Sequence, residues 1–257
     1  DIFYGYYGNE TYTYSSSPSE TFKLYENKEN SLDENEMVFY TYKNATIPIS
    51  GGTWSDAVKM VETIVTTSGD IIVSAKRMEY DANNRLIATY ISETGIPIKS
   101  EYKLGNTLTA SNALKEIINN PEYTYRYNDK GNLIEVSYNG IVLSSFLWAY
   151  QGSHPIAEIK NVTYEDLCEN LPSHITPDKL YNRHDITETD LALIKNAFQH
   201  TDVITIRYHW LTGVASMTDS RGVTSRFSYD GYGRLNSVSD YNNYLIKKHR
   251  YHLLTEY

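Results

Sequence analysis

The chain has 257 residues, 40% hydrophobic and 21% charged, with a formal net charge of −9, so it is long enough to bury a real core and is not a disordered segment. An acidic chain lacks the clustered Lys and Arg that attract nucleic acid or anionic lipid, and its apolar runs, such as Ile141 to Leu143, fall far short of the ~20 residues of a spanning helix. The single cysteine, Cys168, has no partner for an internal disulfide, so packing and hydrogen bonds must hold the fold.

Residues 1–75 form a Tyr-, Thr- and Ser-rich opening that reads as a β-rich segment, either degenerate repeats or a flanking region. Met37 to Tyr42 and Ile71 to Val73 favour strands, the polar run Glu26 to Glu36 an exposed loop, and Ser55 to Val61 a short helix after Gly51-Gly52. The chain starts at Asp1 without a leader-like segment, and the expectation is a mature or excised piece of a larger precursor.

From residue 76 to 162 the chain repeats itself. Tyr80-Asp81-Ala82-Asn83-Asn84-Arg85-Leu86 and Tyr127-Asn128-Asp129-Lys130-Gly131-Asn132-Leu133 share one skeleton, with Asn84 standing where the second copy has Gly131. Asn tolerates the left-handed backbone nearly as glycine does. Weaker copies begin at Tyr102 and Tyr150, and a short helix is expected over Ser111 to Asn119. Asn139-Gly140 between two apolar runs is a two-residue hairpin signal.

Residues 163–202 change character. Thr163-Tyr164-Glu165-Asp166 and Thr187-Glu188-Thr189-Asp190 each place a hydroxyl cap and acids ahead of an apolar stripe, predicting two short helices laid over the sheet, with Pro172 and Pro177 in the connection. Cys168 on the first of these reads as a small buried hydrophobe.

Residues 203–257 return to the repeat. The best copy is Tyr229-Asp230-Gly231-Tyr232-Gly233-Arg234-Leu235, which continues through Val238 to Asp240, and a weaker one starts at Tyr208 with Asp219 and Gly222 at its far turn. Tyrosines at 80, 102, 127, 150, 208, 229 and 251 are spaced by 22, 25, 23, 58, 21 and 22 residues, so the one long gap contains the helical insertion. Asp-x-x-Gly suits a type I turn in which the Asp side chain bonds the backbone, and Gly233 should take the left-handed conformation that closes it. Two turns per period leave strands of about 6 residues, and the fold class is mainly β: an antiparallel ribbon of hairpins, curled or spiral, with a small two-helix insertion.

These residues, Tyr-Asp-x-x-Gly-Arg-Leu followed by an apolar residue and Asp, resemble the YD repeat of the RHS family. Gly213 to Thr224 and Pro155 to Tyr164 are similar to the C-terminal part of large exported or surface RHS-like proteins of the Bacteroidetes. The resemblance implies a curled ribbon of hairpins, sometimes closed into a shell, in bacterial proteins that are secreted or held at the cell surface. Such proteins bind a partner protein or carbohydrate, associate with other parts of their own precursor, or enclose a toxin. It implies no catalytic residue in the repeats.

No other chemistry gathers in the sequence. The seven histidines lack metalloprotease spacing, and no nucleophile elbow, phosphate loop or calcium loop is present, so no catalytic, metal or cofactor residue is assigned. The repeat signature, Tyr80, Asp81, Arg85, Leu86, Tyr127, Gly131, Leu133, Asp219, Gly222, Tyr229, Asp230, Gly233, Arg234, Leu235 and Asp240, reads as structural. Tyr232, Tyr241 and Tyr244, displaced from the buried register, are the candidate ligand face. The expected function is a non-catalytic structural or binding module. The alternatives are the wall of a toxin-enclosing shell and a carbohydrate hydrolase built from spatially paired acids.

Overall fold

In a computed structural model, residues 60–92, 95, 97, 118–209 and 212–251 are described with their side chains, and several further strands by their backbone. The chain divides into two compact units, residues 1–124 with 138–140 and residues 125–137 with 141–257.

The first unit carries β1 (Tyr4–Tyr7), β2 (Glu10–Thr13), β3 (Phe22–Leu24), β4 (Glu36–Asn44), β5 (Ile47–Ile49) and β6 (Gly52–Trp54). They are followed by β7 (Lys59–Ser68), β8 (Ile71–Tyr80), β9 (Leu86–Ser92), β10 (Ile96–Pro97), β11 (Lys103–Leu104) and β12 (Thr107–Leu108), and by the start of β13 (Tyr123–Tyr127). Strands β3, β4, β7, β8 and β9 lie side by side and antiparallel, and β13 adds to β9 with Tyr123 opposite Thr89. In β7 the β-branched residues Thr63, Val65 and Thr67 alternate into the interior, each 1% exposed or less. That run corrects the helix expected at Ser55 to Val61: Lys59 to Val61 begin a strand, because the branched side chains downstream favour the pleated backbone. Residues 55–58, the polar run at 26–35 and nearly all of the helix expected over Ser111 to Asn119 lie outside the described residues.

Inside this unit Val65, Ile72, Ala75, Ala88, Tyr90 and Ile118 are buried, and with them Arg77. A buried guanidinium must be paired. Arg77 forms an ion pair with Glu79, stacks 3.6 Å above the Tyr90 ring and donates to the Ile118 carbonyl at 3.3 Å, while the Tyr90 hydroxyl donates to Glu79 at 2.8 Å.

The second unit holds the end of β13, most of β14 (Leu133–Tyr138), then β15 (Ile141–Ala149), β16 (His154–Lys160), three helices, β17 (Val203–His209), β18 (Gly213–Thr218), β19 (Thr224–Tyr229), β20 (Leu235–Asp240) and β21 (Leu245–Lys248). From β15 to β21 each strand pairs antiparallel with the next in sequence, and the sheet stops open at β21. Asn139 and Gly140 both take positive φ, 47° and 78°, as a two-residue hairpin turn requires.

The helices are α1 (Tyr164–Asn170), α2 (Pro177–Tyr181) and α3 (Glu188–Ala197). Thr163 caps α1 by accepting from the Asp166 N–H, and Thr187 with Asp190 forms a capping box on α3. The connection between the two expected helices itself contains a helix, α2, where Pro177 stands in the first turn and needs no N–H partner. Leu167, Ile175, Leu180 and Ile194 of this insertion pack with Leu147, Ile156, Ile159 and Val203 of the sheet, all 1% exposed or less. Cys168 is only partly buried against this core, and that burial pushes its thiol pKa up.

Candidate functional site

Among the described residues the repeat signature resolves into one turn built five times. At Asp81, Asn128, Asp219, Asp230 and Asp240 the backbone N–H donates to the carbonyl four residues on, at 2.9 to 3.0 Å, and the carbonyl accepts from the N–H three residues on, at 3.0 to 3.1 Å. The residue that makes this second bond is left-handed each time: Asn84 (φ 62°), Gly131 (89°), Gly222 (88°), Gly233 (74°) and Asn243 (65°). This is why Asn and Gly exchange at that position and nothing larger serves as well.

The first residue closes the turn with its side chain. Asp230 Oδ1 accepts from the Tyr232 N–H at 2.9 Å and the Arg234 N–H at 3.0 Å, and Oδ2 from Arg234 Nε at 2.8 Å. Asp81 repeats this with Asn83, Arg85 and Arg85 Nε at 2.9, 2.9 and 2.7 Å. Asn128 accepts from the Lys130 and Asn132 amides, Asp219 from the Val223 amide and Arg221, and Asp240 from the Tyr244 amide. The backbone amides of Arg85, Val223 and Arg234 are the leading cause that holds Asp81, Asp219 and Asp230 below the ordinary carboxylate pKa.

The tyrosines act across strands. Tyr80 and Tyr229 sit at a bulge and pair opposite Leu86 and Leu235, which explains the six-residue spacing from Tyr to Leu in the signature. Their hydroxyls reach the neighbouring strand: Tyr80 donates to the Val61 carbonyl at 2.8 Å, Tyr208 to Pro155 at 3.1 Å, Tyr229 to Val214 at 2.9 Å and Tyr251 to Leu235 at 2.9 Å. Trp148 fills the same role toward the Leu133 carbonyl at 2.6 Å. Tyr127 is half-buried at the end of β13. The hydroxyls of Tyr80, Tyr208, Tyr229 and Tyr251 are thus bonded to backbone across strands. The regular recurrence of Tyr is the signal that could have revealed such struts.

The candidate ligand face is exposed, at 83% for Tyr232, 65% for Tyr241 and 72% for Tyr244. It is divided, however. Tyr232 lies in the turn before β20 and the other two in the turn after it, roughly 17 Å away at the rise of an extended strand. Each end has an arginine that the sequence reading did not connect with it: Arg234 lies 5.1 Å from the Tyr232 ring and 4.5 Å from that of Tyr251, and Arg226 lies 5.6 Å from Tyr241 and donates to its carbonyl at 2.7 Å. Among the described residues no group of three or more His, Cys, Asp or Glu could hold a metal ion, and no helix is long and apolar enough to cross a membrane.

No protein-family model and no curated protein matches the chain. Among solved structures it is similar to the crystal structure of TcdB2-TccC3-Cdc42, at 11% identity and TM-score 0.39, covering 79% of this chain and 8% of that one. It is also similar to TcdB2-TccC3 without its hypervariable C-terminal region (14% identity, TM-score 0.37, 74% and 8% covered) and to the Photorhabdus luminescens Tc holotoxin pore (13%, 0.32, 82% and 11%). The chain thus spans about a tenth of the length of these chains.

Proposed function

We propose that this chain is a non-catalytic structural module of the YD-repeat type in an exported or surface protein of a bacterium, presenting exposed side chains to a protein or carbohydrate partner. The observation that supports this reading is where the chemistry of the repeat goes. The carboxylates of Asp81, Asp219, Asp230 and Asp240 are spent on amides of their own turns, the guanidinium groups of Arg85 and Arg234 on those carboxylates, and four tyrosine hydroxyls on backbone carbonyls. Groups engaged in this way hold hairpins in register, which supports a structural role for the repeat. The test is to assay the purified chain on glycan, peptide and ester panels beside Asp81→Ala and Asp230→Ala. The expected result is no turnover by any form and a lower thermal midpoint for both variants. Turnover that disappears when one pair of neighbouring acids is changed would overturn the reading.

A further inference from the structure

The turn that begins at Tyr150 departs from the turn described above, and a cavity forms beside it. After β15 the chain reads Tyr150-Gln151-Gly152-Ser153, with Gln151 where the copies at Tyr80, Tyr127 and Tyr229 have Asp or Asn. Tyr150 and Gln151 take φ of +55° and +56° in succession, a pair of conformations that L side chains seldom adopt, and the Gly152 N–H closes the turn on the Ala149 carbonyl at 3.0 Å. The insertion pins this turn. Tyr150 N–H donates to the Arg183 carbonyl at 2.9 Å, and Gln151 N–H to the Tyr181 carbonyl at 2.7 Å.

The strained turn faces an open cavity of about 310 Å³. Tyr150 and Tyr208 meet in it edge to face, 5.7 Å between ring centroids; His154 packs 4.4 Å from Tyr208 and His184 6.3 Å from Tyr150. Gln151, Ser153 and His209 complete the lining. The Tyr208 hydroxyl is already bonded to the Pro155 carbonyl, and the Tyr150 hydroxyl accepts the Tyr208 N–H at 3.3 Å and donates to the Tyr208 carbonyl at 3.5 Å; Tyr150 is a buried member of the core that backs the cavity, and the half-buried Tyr208 offers ring surface to it. The Ser153 hydroxyl donates to the Tyr150 carbonyl at 2.5 Å and lies 2.8 Å from His154 Nδ1, so the polar groups that reach the opening are the exposed Gln151 amide and His209 imidazole, with the His184 ring beside them; none of the lining residues carries a carboxylate, ammonium or guanidinium group.

We infer that this cavity binds a neutral sugar of one or two rings. A pyranose has apolar C–H faces to lay on aromatic rings and hydroxyls to bond imidazole and amide. No fixed charge lines the cavity to favour a charged ligand, and charged probes test whether ring or imidazole contacts alone suffice for one. The volume sits at the small end of the roughly 300–1,000 Å³ common for small-molecule sites, and backbone strain of this kind concentrates at ligand sites. The inference goes beyond the scaffold reading, since hairpins held by turns and struts can serve as a scaffold with or without this cavity.

The experiment is calorimetric and NMR titration of the purified chain with methyl glucoside, N-acetylglucosamine, maltose and cellobiose, with glucuronate and choline as charged probes. At least one neutral probe should bind and move the imidazole resonances of His154 and His184. Gln151→Ala and His209→Ala, both at exposed rim positions, should weaken that binding tenfold or more with an unchanged thermal midpoint. Three outcomes would each overturn the inference: no neutral probe shifts these resonances, the charged probes shift them instead, or binding survives both substitutions. Activity and stability of the repeat-turn variants read the scaffold proposal separately.

Discussion

The turn at Asp230 and the turn at Tyr150 occupy equivalent places in two copies of one repeat, yet different parts of the chain hold them. Asp230 to Arg234 closes within five residues, through side-chain and backbone bonds that are all local, with glycine at the one left-handed position. Tyr150-Gln151 has no acid to bond its amides and no glycine at either strained position, so its amides take carbonyls some 30 residues away on α2 and just beyond it. The first turn is encoded where it stands, and the second exists because the insertion folds. Trp148 meanwhile supplies a cross-strand bond, to the Leu133 carbonyl, of the kind tyrosine hydroxyls supply elsewhere, and the Tyr150 hydroxyl bonds the backbone of Tyr208.

The most damaging way to break this contrast is to loosen the insertion. Leu180 is fully buried on α2, beside the carbonyls that hold the strained turn, so Leu180→Ala should cost about 3 kcal/mol in urea denaturation. Hydrogen exchange should show Tyr150 and Gln151 losing protection while Gly233 keeps its own. Equal loss at Gly233 would mean the repeat turns are not locally encoded.

Acid should act on the same element. Asp190 accepts from Arg183 Nη1 and Nη2 at 3.0 and 2.8 Å and from the Thr187 N–H at 2.9 Å, and the Arg183 guanidinium is the main cause that lowers its pKa to about 2. A carboxylate whose folded pKa is depressed contributes stability that is fully present above its unfolded pKa of about 4 and is lost as pH falls toward about 2. Asp190→Asn should cost about 1–2 kcal/mol at neutral pH and flatten the thermal midpoint between pH 4 and pH 2 relative to the parent chain. A parent and a variant with the same acid slope would remove Asp190 from the account. Asp81, Asp219 and Asp230, shifted in the same direction by their own turn amides, add to the slope that remains.

This division between local and distant encoding also governs what could be read from the sequence. Asp230, Gly233 and Leu235 are legible because the bonds that fix them span a handful of residues, and Thr163 and Thr187 because a cap is a local device. The cavity was not legible. Its histidines, at 154, 184 and 209, look scattered along the chain and come together only when the insertion returns over β15 to β17. The Arg77 cluster is hidden for a related reason, since one of its partners, the Ile118 carbonyl, is 41 residues away. The helix expected before Val61 failed because a short apolar pattern says less than the β-branched run that follows it.

A smaller effect tests the local turn directly. Gly233 lies at φ 74° with open space about its missing Cβ, the nearest atom being the Thr212 methyl at 3.9 Å, so Gly233→Val meets backbone strain without a packing clash and should cost about 1–2 kcal/mol. Gly213 is the sharper control. A Cβ there would stand 2.9 Å from the Tyr229 hydroxyl, so Gly213→Ala should also break the bond from Tyr229 to the Val214 carbonyl, seen as an altered tyrosine environment by NMR. If Gly233→Val is neutral, the turn does not need its left-handed residue.

The smallest expected effect carries the opposite sign. Gln151 is exposed and sits at φ +56°, where a non-glycine residue is strained by about 1–2 kcal/mol, while glycine gives back roughly 0.5–1 kcal/mol in the unfolded chain's freedom. Gln151→Gly should therefore stabilise the protein by about 0.5 kcal/mol, read as a higher urea midpoint. Asn84→Gly, where asparagine already suits the left-handed turn at φ 62°, should change little. If Gln151→Gly destabilises instead, the side chain contributes more than its strain costs, and the two turns would differ in their contacts and not in where their conformation is encoded.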